Sequence, residues 1–126
     1  MNVVDSSGWL EFFADGPHAD FFAKPILDAR QLIVPAISIF EVFKRVLQQR
    51  SEGEALNAVA LMKQGQVVPL DDMLAIFSAS LSHQLKLPMA DSIILATARS
   101  YNATLWTQDT DFIGIDGGQE VDKRKK

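Results

Sequence analysis

Apolar and polar positions along this chain follow two periods. Short runs with apolar centres, Asn2-Val-Val-Asp5, Leu32-Ile-Val34, Gln66-Val-Val-Pro-Leu70 and Thr104-Leu-Trp-Thr107, are each bounded by polar residues or proline. They read as buried strands, the second stopped by Pro35. Between them, apolar residues recur every three or four positions, which predicts helices. Ser6-Ser7 offer caps for a helix carrying Trp9, Leu10, Phe12 and Phe13. After the Asp15-Gly-Pro17 break, a second runs from His18 to about Ala29, with Phe21, Phe22, Ile26 and Leu27 on its buried side. A third, Ser38 to about Arg50, carries Phe40, Phe43 and Leu47, and Gly53 separates it from a fourth with Leu56, Val59, Ala60 and Met62. Asp71-Asp72 cap a fifth through Leu74, Phe77 and Leu81, and Leu87-Pro88 lead into a mostly apolar sixth from Asp91 to Tyr101.

Strands alternating with helices of this length predict an α/β fold: a three-layer α/β/α sandwich on a central, mainly parallel sheet. Four strands are expected, with a short fifth near Val121. In such sheets the functional crevice lies beyond the carboxyl ends of the strands. Asp5 and Asp109 directly follow predicted strands and so fall on that edge.

The chain has 126 residues, 48% hydrophobic and 22% charged, enough for one compact domain, expected over residues 1–121. Asp122-Lys-Arg-Lys-Lys126 reads as a basic, disordered tail. The absence of cysteine excludes disulfides, thiol nucleophiles and Cys-ligated zinc. No apolar stretch reaches the roughly 20 residues of a membrane span, and the N-terminus carries no basic signal-peptide head, so the expected location is cytoplasmic. Net charge is −4, and attraction to a polyanion must therefore be local. Two Mg²⁺ ions would return the formal charge to about zero.

Four isolated acids stand at the edges of apolar segments: Asp5, Glu41 in Ser38-Ile-Phe-Glu41, Asp91 in Met89-Ala-Asp91-Ser-Ile-Ile, and Asp109. A lone buried carboxylate is costly unless a cation or hydrogen bonds compensate it. Hard cations such as Mg²⁺ and Mn²⁺ take oxygen ligands, and a few carboxylates from different elements suffice. Each acid also has a plain structural reading. Asp5 and Asp91 have the placement of helix caps. Glu41 lies four residues before Arg45, the spacing of a solvated helix ion pair. Asp109 and Asp111 suit a turn. Asp71 and Asp72 have the same strand-then-helix placement as Asp5 and are assigned to capping. Position alone does not choose between these readings.

His18 and His83 lack partners at any recognisable ligand or nucleophile spacing and read as structural or surface residues. There is no Gly-x-Ser-x-Gly elbow and no phosphate-binding glycine loop. Lys44, Arg45, Lys86 and Arg99 are solvated by default and would contact the phosphates of a polyanion if they lay near the acids. Phe12, Phe13, Phe21, Phe22, Phe40 and Phe43 read as core or dimer interface rather than base-stacking platforms.

The ordered set Val-Val-Asp5-Ser-Ser, Ser38-x-x-Glu41-Val, Pro-Leu-Asp71, Ala90-Asp91-Ser-Ile-Ile-Leu-Ala-Thr-Ala98 and Leu105-Trp-Thr107-Gln-Asp109-Thr-Asp111-Phe112 resembles the PIN domain, in particular the VapC-type toxins of toxin–antitoxin pairs. Each motif is short, but five in order at domain-compatible spacing cover nearly the whole chain. The segment from Gly114 to Gly118 departs from the pattern. The resemblance implies a Mg²⁺- or Mn²⁺-dependent endoribonuclease that is dimeric and silenced by a small antitoxin. Asp5, Asp91 and Asp109 would hold the metal, Glu41 would complete the catalytic cluster, and Ser6 and Thr107 would hold the carboxylates or a metal-bound water. Asp111 would either support the site or serve only the turn.

Trp9, Phe12, Phe13, Phe21 and Phe22 suggest a homodimer through the early helices. Two rival readings stand beside the nuclease. A receiver-like Mg²⁺-binding signalling domain would need paired acids after the first strand and a lysine after a late one, which Asp5 and Gln108 do not supply. A non-catalytic binding module would keep the fold without metal affinity.

Overall fold

The computed structural model describes residues 1–115 and 118–120. Five strands, β1 (Asn2–Val4), β2 (Leu32–Pro35), β3 (Gln66–Val68), β4 (Thr104–Thr107) and β5 (Gly118–Glu120), form one sheet in the order β3-β2-β1-β4-β5. All four pairings are parallel. The fifth strand ends just before Val121, which lies outside the described residues, as does the basic run 122–126.

Six helices cover the sheet: α1 (Ser6–Phe13), α2 (Ala19–Ile26), α3 (Ala36–Gln49), α4 (Glu52–Met62), α5 (Asp72–Leu85) and α6 (Met89–Ser100). Their distribution follows from the strand order. The chain steps from β1 to β2 to β3 in one direction, and right-handed crossovers put α1 to α4 on one face. It then returns across the sheet to β4, which puts α5 and α6 on the other. Strand residues alternate accordingly. Val3, Ile33 and Leu105 pack with Leu81, Ile94 and Leu95, whereas Val4, Leu32 and Val34 pack with Trp9, Phe22, Val42 and Met62. Both faces of the central strands are buried, as expected of parallel strands covered on both sides.

Several expected helix faces are corrected. In α3 the buried row is Ser38, Val42 and Val46, while Phe40 and Leu47 are exposed and Phe43 is only half-buried. A helix has room for one stripe against the sheet, and the narrow row fits it. In α4 Ala55, Ala58 and Met62 are buried, and Leu56 and Ala60 face outward. Gly53 lies inside the first turn of α4; the break falls at Arg50, and Ser51 caps. The second helix stops at Ile26, leaving Leu27 exposed, with a 3-10 turn over Ala29–Gln31. Helix α6 begins at Met89 behind Pro88, so Asp91 is a first-turn residue and not the cap.

Trp9 and Phe22 are fully buried, and Phe12, Phe13 and Phe21 pack against the same cluster. Of the residues expected at a dimer surface, Trp9 and Phe22 are taken into the core, while Phe12, Phe13 and Phe21 stay partly exposed. An exposed apolar row lies on α5, where Met73, Ile76 and Phe77 share a face. No helix among the described residues is long and apolar enough to cross a membrane.

At Gly8, α1 packs closely on its neighbours. A Cβ there would sit 2.6 Å from the buried Phe22 ring and 2.8 Å from Val4. Gly8→Ala is expected to destabilise the fold by about 1–3 kcal/mol, the usual cost of overpacking a close contact. Urea unfolding checks this, and an unchanged midpoint would contradict it.

Candidate functional site

The sheet order reverses between β1 and β4, and crevices in open α/β sheets form at such a switch point. Asp5 leaves β1 there, and its backbone N–H still bonds the Trp106 carbonyl of β4 at 3.1 Å. Its Oδ1 accepts the Gly8 N–H at 2.8 Å and the Ser7 hydroxyl at 3.0 Å, which makes it the N-cap of α1. Its Oδ2 accepts the Thr107 hydroxyl, and Thr107 Oγ1 in turn accepts the Asp109 N–H at 2.9 Å. Capping thus does not take Asp5 away from the acidic pocket, because the side chain that caps α1 also lines it. The serines do not cap; α1 begins at Ser6.

Glu41 projects from α3 toward the same place and accepts the Ser6 hydroxyl at 2.6 Å. It makes no ion pair with Arg45 among the described residues. Asp91 comes from the first turn of α6, and Asp109 caps the 3-10 turn Thr110–Phe112 through its bond to the Asp111 N–H. Asp5, Glu41, Asp91 and Asp109 line one pocket of about 400 Å³. Asp91, Asp109 and Asp111 each offer a carboxylate oxygen, all within 4.8 Å of one another. Asp5 lies outside that tight triad, and the exposed Asp111 lies in it. Thr107 and Ser6 each hold a carboxylate by a direct hydrogen bond.

Crowding and burial oppose ionisation here. Burial pushes the Asp5 carboxyl up to about 6 against the opposing hydrogen bonds from Thr107, Gly8 and Ser7. Asp91 is pushed up to about 7, first by burial, then by the charge of Asp109 and by its hydrogen bond and proximity to Asp111. An all-oxygen donor set with mutually repelling carboxylates fits a hard divalent cation, which would restore the ionised forms.

Sequence reasoning missed Ser7 as a partner of Asp5, although its place in the first turn after a capping Asp was a signal. It also missed that Phe40 and Gln48 line the acidic pocket; Lys44 and Arg45, raised as phosphate contacts near the acids, line it with them. Lys86 instead takes the left-handed C-cap of α5, and Arg99 is exposed at the end of α6. His18 is buried, with Nδ1 3.2 Å from the Gln108 Oε1, and is structural; His83 is exposed.

Asp71 caps α5 by accepting the Leu74 N–H at 2.8 Å and borders a different cavity, with Phe77 and Tyr101. Asp71→Asn is expected to change stability by only a few tenths of a kcal/mol and to leave Mn²⁺ binding intact, since asparagine caps as well as aspartate. Calorimetric titration of the variant checks it; a lost Mn²⁺ signal in the folded protein would show that the acids were divided wrongly.

Comparison with known proteins supplies context for this pocket. A family model for the PIN domain matches residues 3–118. The chain is similar to a solved toxin–antitoxin complex from Klebsiella pneumoniae, at 25% identity and a TM-score of 0.77, over 96% of this chain and 100% of that one. It shares its fold with VapBC2 from Rickettsia felis bound to a promoter DNA fragment, at 13% identity, TM-score 0.74, 94% of this chain and 97% of that one. It likewise shares its fold with VapC20 of Mycobacterium tuberculosis, described as a sarcin–ricin-loop-cleaving toxin, at 12% identity, TM-score 0.70, 82% of this chain and 85% of that one. No match was found among curated protein sequences.

Proposed function

This chain belongs to the PIN domain family, and we propose that it is a metal-dependent endoribonuclease toxin of the VapC type, acting in the cytoplasm and restrained by a small antitoxin. The observation that carries the reading is the meeting of Asp5, Glu41, Asp91 and Asp109 in one pocket at the switch point of the sheet. Family membership disfavours the receiver-like alternative.

Asp91 and Asp109 would hold Mg²⁺ or Mn²⁺, with Asp111 from the tight triad and the free lone pair of Asp5 Oδ2 completing the set. A cation bound there supplies Lewis acidity toward a phosphate and lowers the pKa of a coordinated water. Glu41, fixed by Ser6, orients the attacking water and accepts its proton. Thr107 holds Asp5 and the Asp109 backbone in one register, so the acids need little rearrangement when substrate arrives. The water oxygen bonds to phosphorus as the P–O3′ bond breaks, and the departing O3′ takes a proton from solvent, leaving a 5′-phosphate and a 3′-hydroxyl. The 2′-hydroxyl takes no part.

Beside the acidic pocket lies a larger one of about 530 Å³ between α1, α3 and α4. The two share Ser7, Leu10 and Arg45. An antitoxin segment seated there would reach the carboxylates with a basic side chain, most simply arginine. The apolar row of Met73, Ile76 and Phe77 on α5 supports a homodimer. Sedimentation at tens of micromolar is expected to show a dimer that Ile76→Lys converts to monomer; a monomeric parent would remove this element.

Expressing the chain alone and mapping RNA ends tests the function. New ends bearing 5′-phosphates, absent with Asp91→Asn, are expected. A parent that binds Mn²⁺ yet cleaves no RNA would favour a binding module.

A further inference from the structure

Phe40 is the most exposed aromatic side chain among the described residues, at 61%, although it sits in the middle of a strongly amphipathic helix. The sequence pattern assigned it to the core or a dimer contact. It stands instead on the rim of the acidic pocket, one residue before Glu41. Phe40, Lys44 and Gln48 are spaced i, i+4, i+8 on α3, and neighbours at that spacing share one face. All three line the pocket, together with Arg45. Lys44 Nζ lies 5.8 Å from the Phe40 ring centroid, and neither Lys44 nor Arg45 makes an ion pair among the described residues.

We infer that this face of α3 binds an unpaired nucleotide next to the scissile phosphate, with its base stacked on Phe40 and its flanking phosphate held by Lys44 and Arg45. The inference rests on the ribonuclease reading of the pocket and adds the residues of α3 that would hold the strand beside the cut. A base–aromatic stack is a stronger contact than an exposed cation–π pair. An arriving base therefore displaces Lys44 from the ring and frees its ammonium for phosphate. Duplex RNA cannot engage Phe40, because its base faces are already covered by their neighbours. The net charge of −4 makes these two cations matter more, since the whole molecule offers no attraction to a polyanion. Leu47, exposed on the same helix, would suit a protein contact. It does not line the pocket, whereas Phe40 lies there among cations and an amide.

The test is anisotropy of fluorescein-labelled oligoadenylate, alone or annealed to oligouridylate, with the full chain in Ca²⁺ so that binding is read apart from cleavage. The single strand is expected to bind at least about fivefold tighter than the duplex. Phe40→Ala should weaken single-strand binding by roughly 5- to 150-fold, the range of one lost stack, with Phe40→Trp restoring it. Lys44→Gln should reduce the slope of log affinity against log salt by about one. Equal melting temperatures would exclude misfolding, Phe40 being exposed. Single-strand binding unchanged in Phe40→Ala, or a duplex bound as tightly, overturns the inference while leaving the nuclease reading in place. A parent that binds neither probe overturns both. Phe40→Ala that loses a protein partner but keeps RNA affinity assigns the ring to an interface and overturns it too.

Discussion

Asp91→Asn is expected to lower RNA cleavage by at least about 10²-fold, the scale of losing one preorganised electrostatic contact to a reacting phosphate. It should also remove most of the stabilisation that Mn²⁺ gives the parent. A cation that binds only the folded chain stabilises it by mass action, about 2.7 kcal/mol at a hundredfold excess over its Kd. Asparagine keeps the size of the side chain but loses the charge that holds the ion. In metal-free buffer at neutral pH the same variant should melt higher than the parent, because it no longer sets a carboxylate beside Asp109 and Asp111. Opposite effects with and without Mn²⁺ would separate a metal ligand from a merely structural acid. Equal Mn²⁺-induced shifts in the two proteins would exclude Asp91 as a ligand.

The second large effect is on pH dependence. Asp5 and Asp91 are held near 6 and near 7 in the folded chain, against an ordinary value of 3.8. Between those values the folded state binds more protons than the unfolded one, so stability falls as pH rises. The favourable contribution is complete below about pH 4 and is lost as pH rises through 6 and 7. Burial of Asp5 puts its part on the order of 3 kcal/mol; the part from Asp91 is smaller than its shift implies, since it is half-solvated. Denaturant titrations of the metal-free protein from pH 4 to 8 should trace this fall. Saturating Mn²⁺ should flatten or reverse it by favouring the ionised acids. A metal-free profile that rises over the same interval in the parent, and is unchanged in Asp91→Asn, would contradict the account.

Much of the architecture was legible because strands and helices carry different periods. Val3 and Val4 could be assigned to a doubly covered strand from two adjacent apolar residues ended by Asp5. Strand order was not legible, since nothing local in Thr104–Thr107 says that β4 pairs with β1. Yet that pairing is what joins Asp5 to Thr107 and Asp109. Helix faces failed where size misled. Phe40 carries a larger apolar side chain than Ser38, Val42 or Val46, but α3 packs its small row on the sheet and leaves the ring at the pocket rim. Leu27 and Leu56 failed for the same reason, each extending an apolar pattern past the stripe its helix buries.

For the acids, capping does not exclude a place in the acidic pocket: Asp5 does both, whereas Asp71 caps α5 beside a different cavity. Both accept an N–H three residues on, at 2.8 Å. Only Asp5 also meets a side chain from another strand, Thr107, and that is a tertiary fact. Asp111, read as a turn residue or a support, sits within ligand distance of Asp91 and Asp109 because the 3-10 turn folds it back.

The central claim is that these carboxylates form one metal site. Soaking crystals of the full chain in Mn²⁺ and locating the ion by its anomalous scattering tests it most directly. The expected result is a peak in the pocket of Asp5, Glu41, Asp91 and Asp109, about 2.1 Å from oxygens of Asp91 and Asp109, and its loss in Asp91→Asn. Mn²⁺ bound elsewhere on the surface with this pocket empty, or an identical peak in Asp91→Asn, would contradict it.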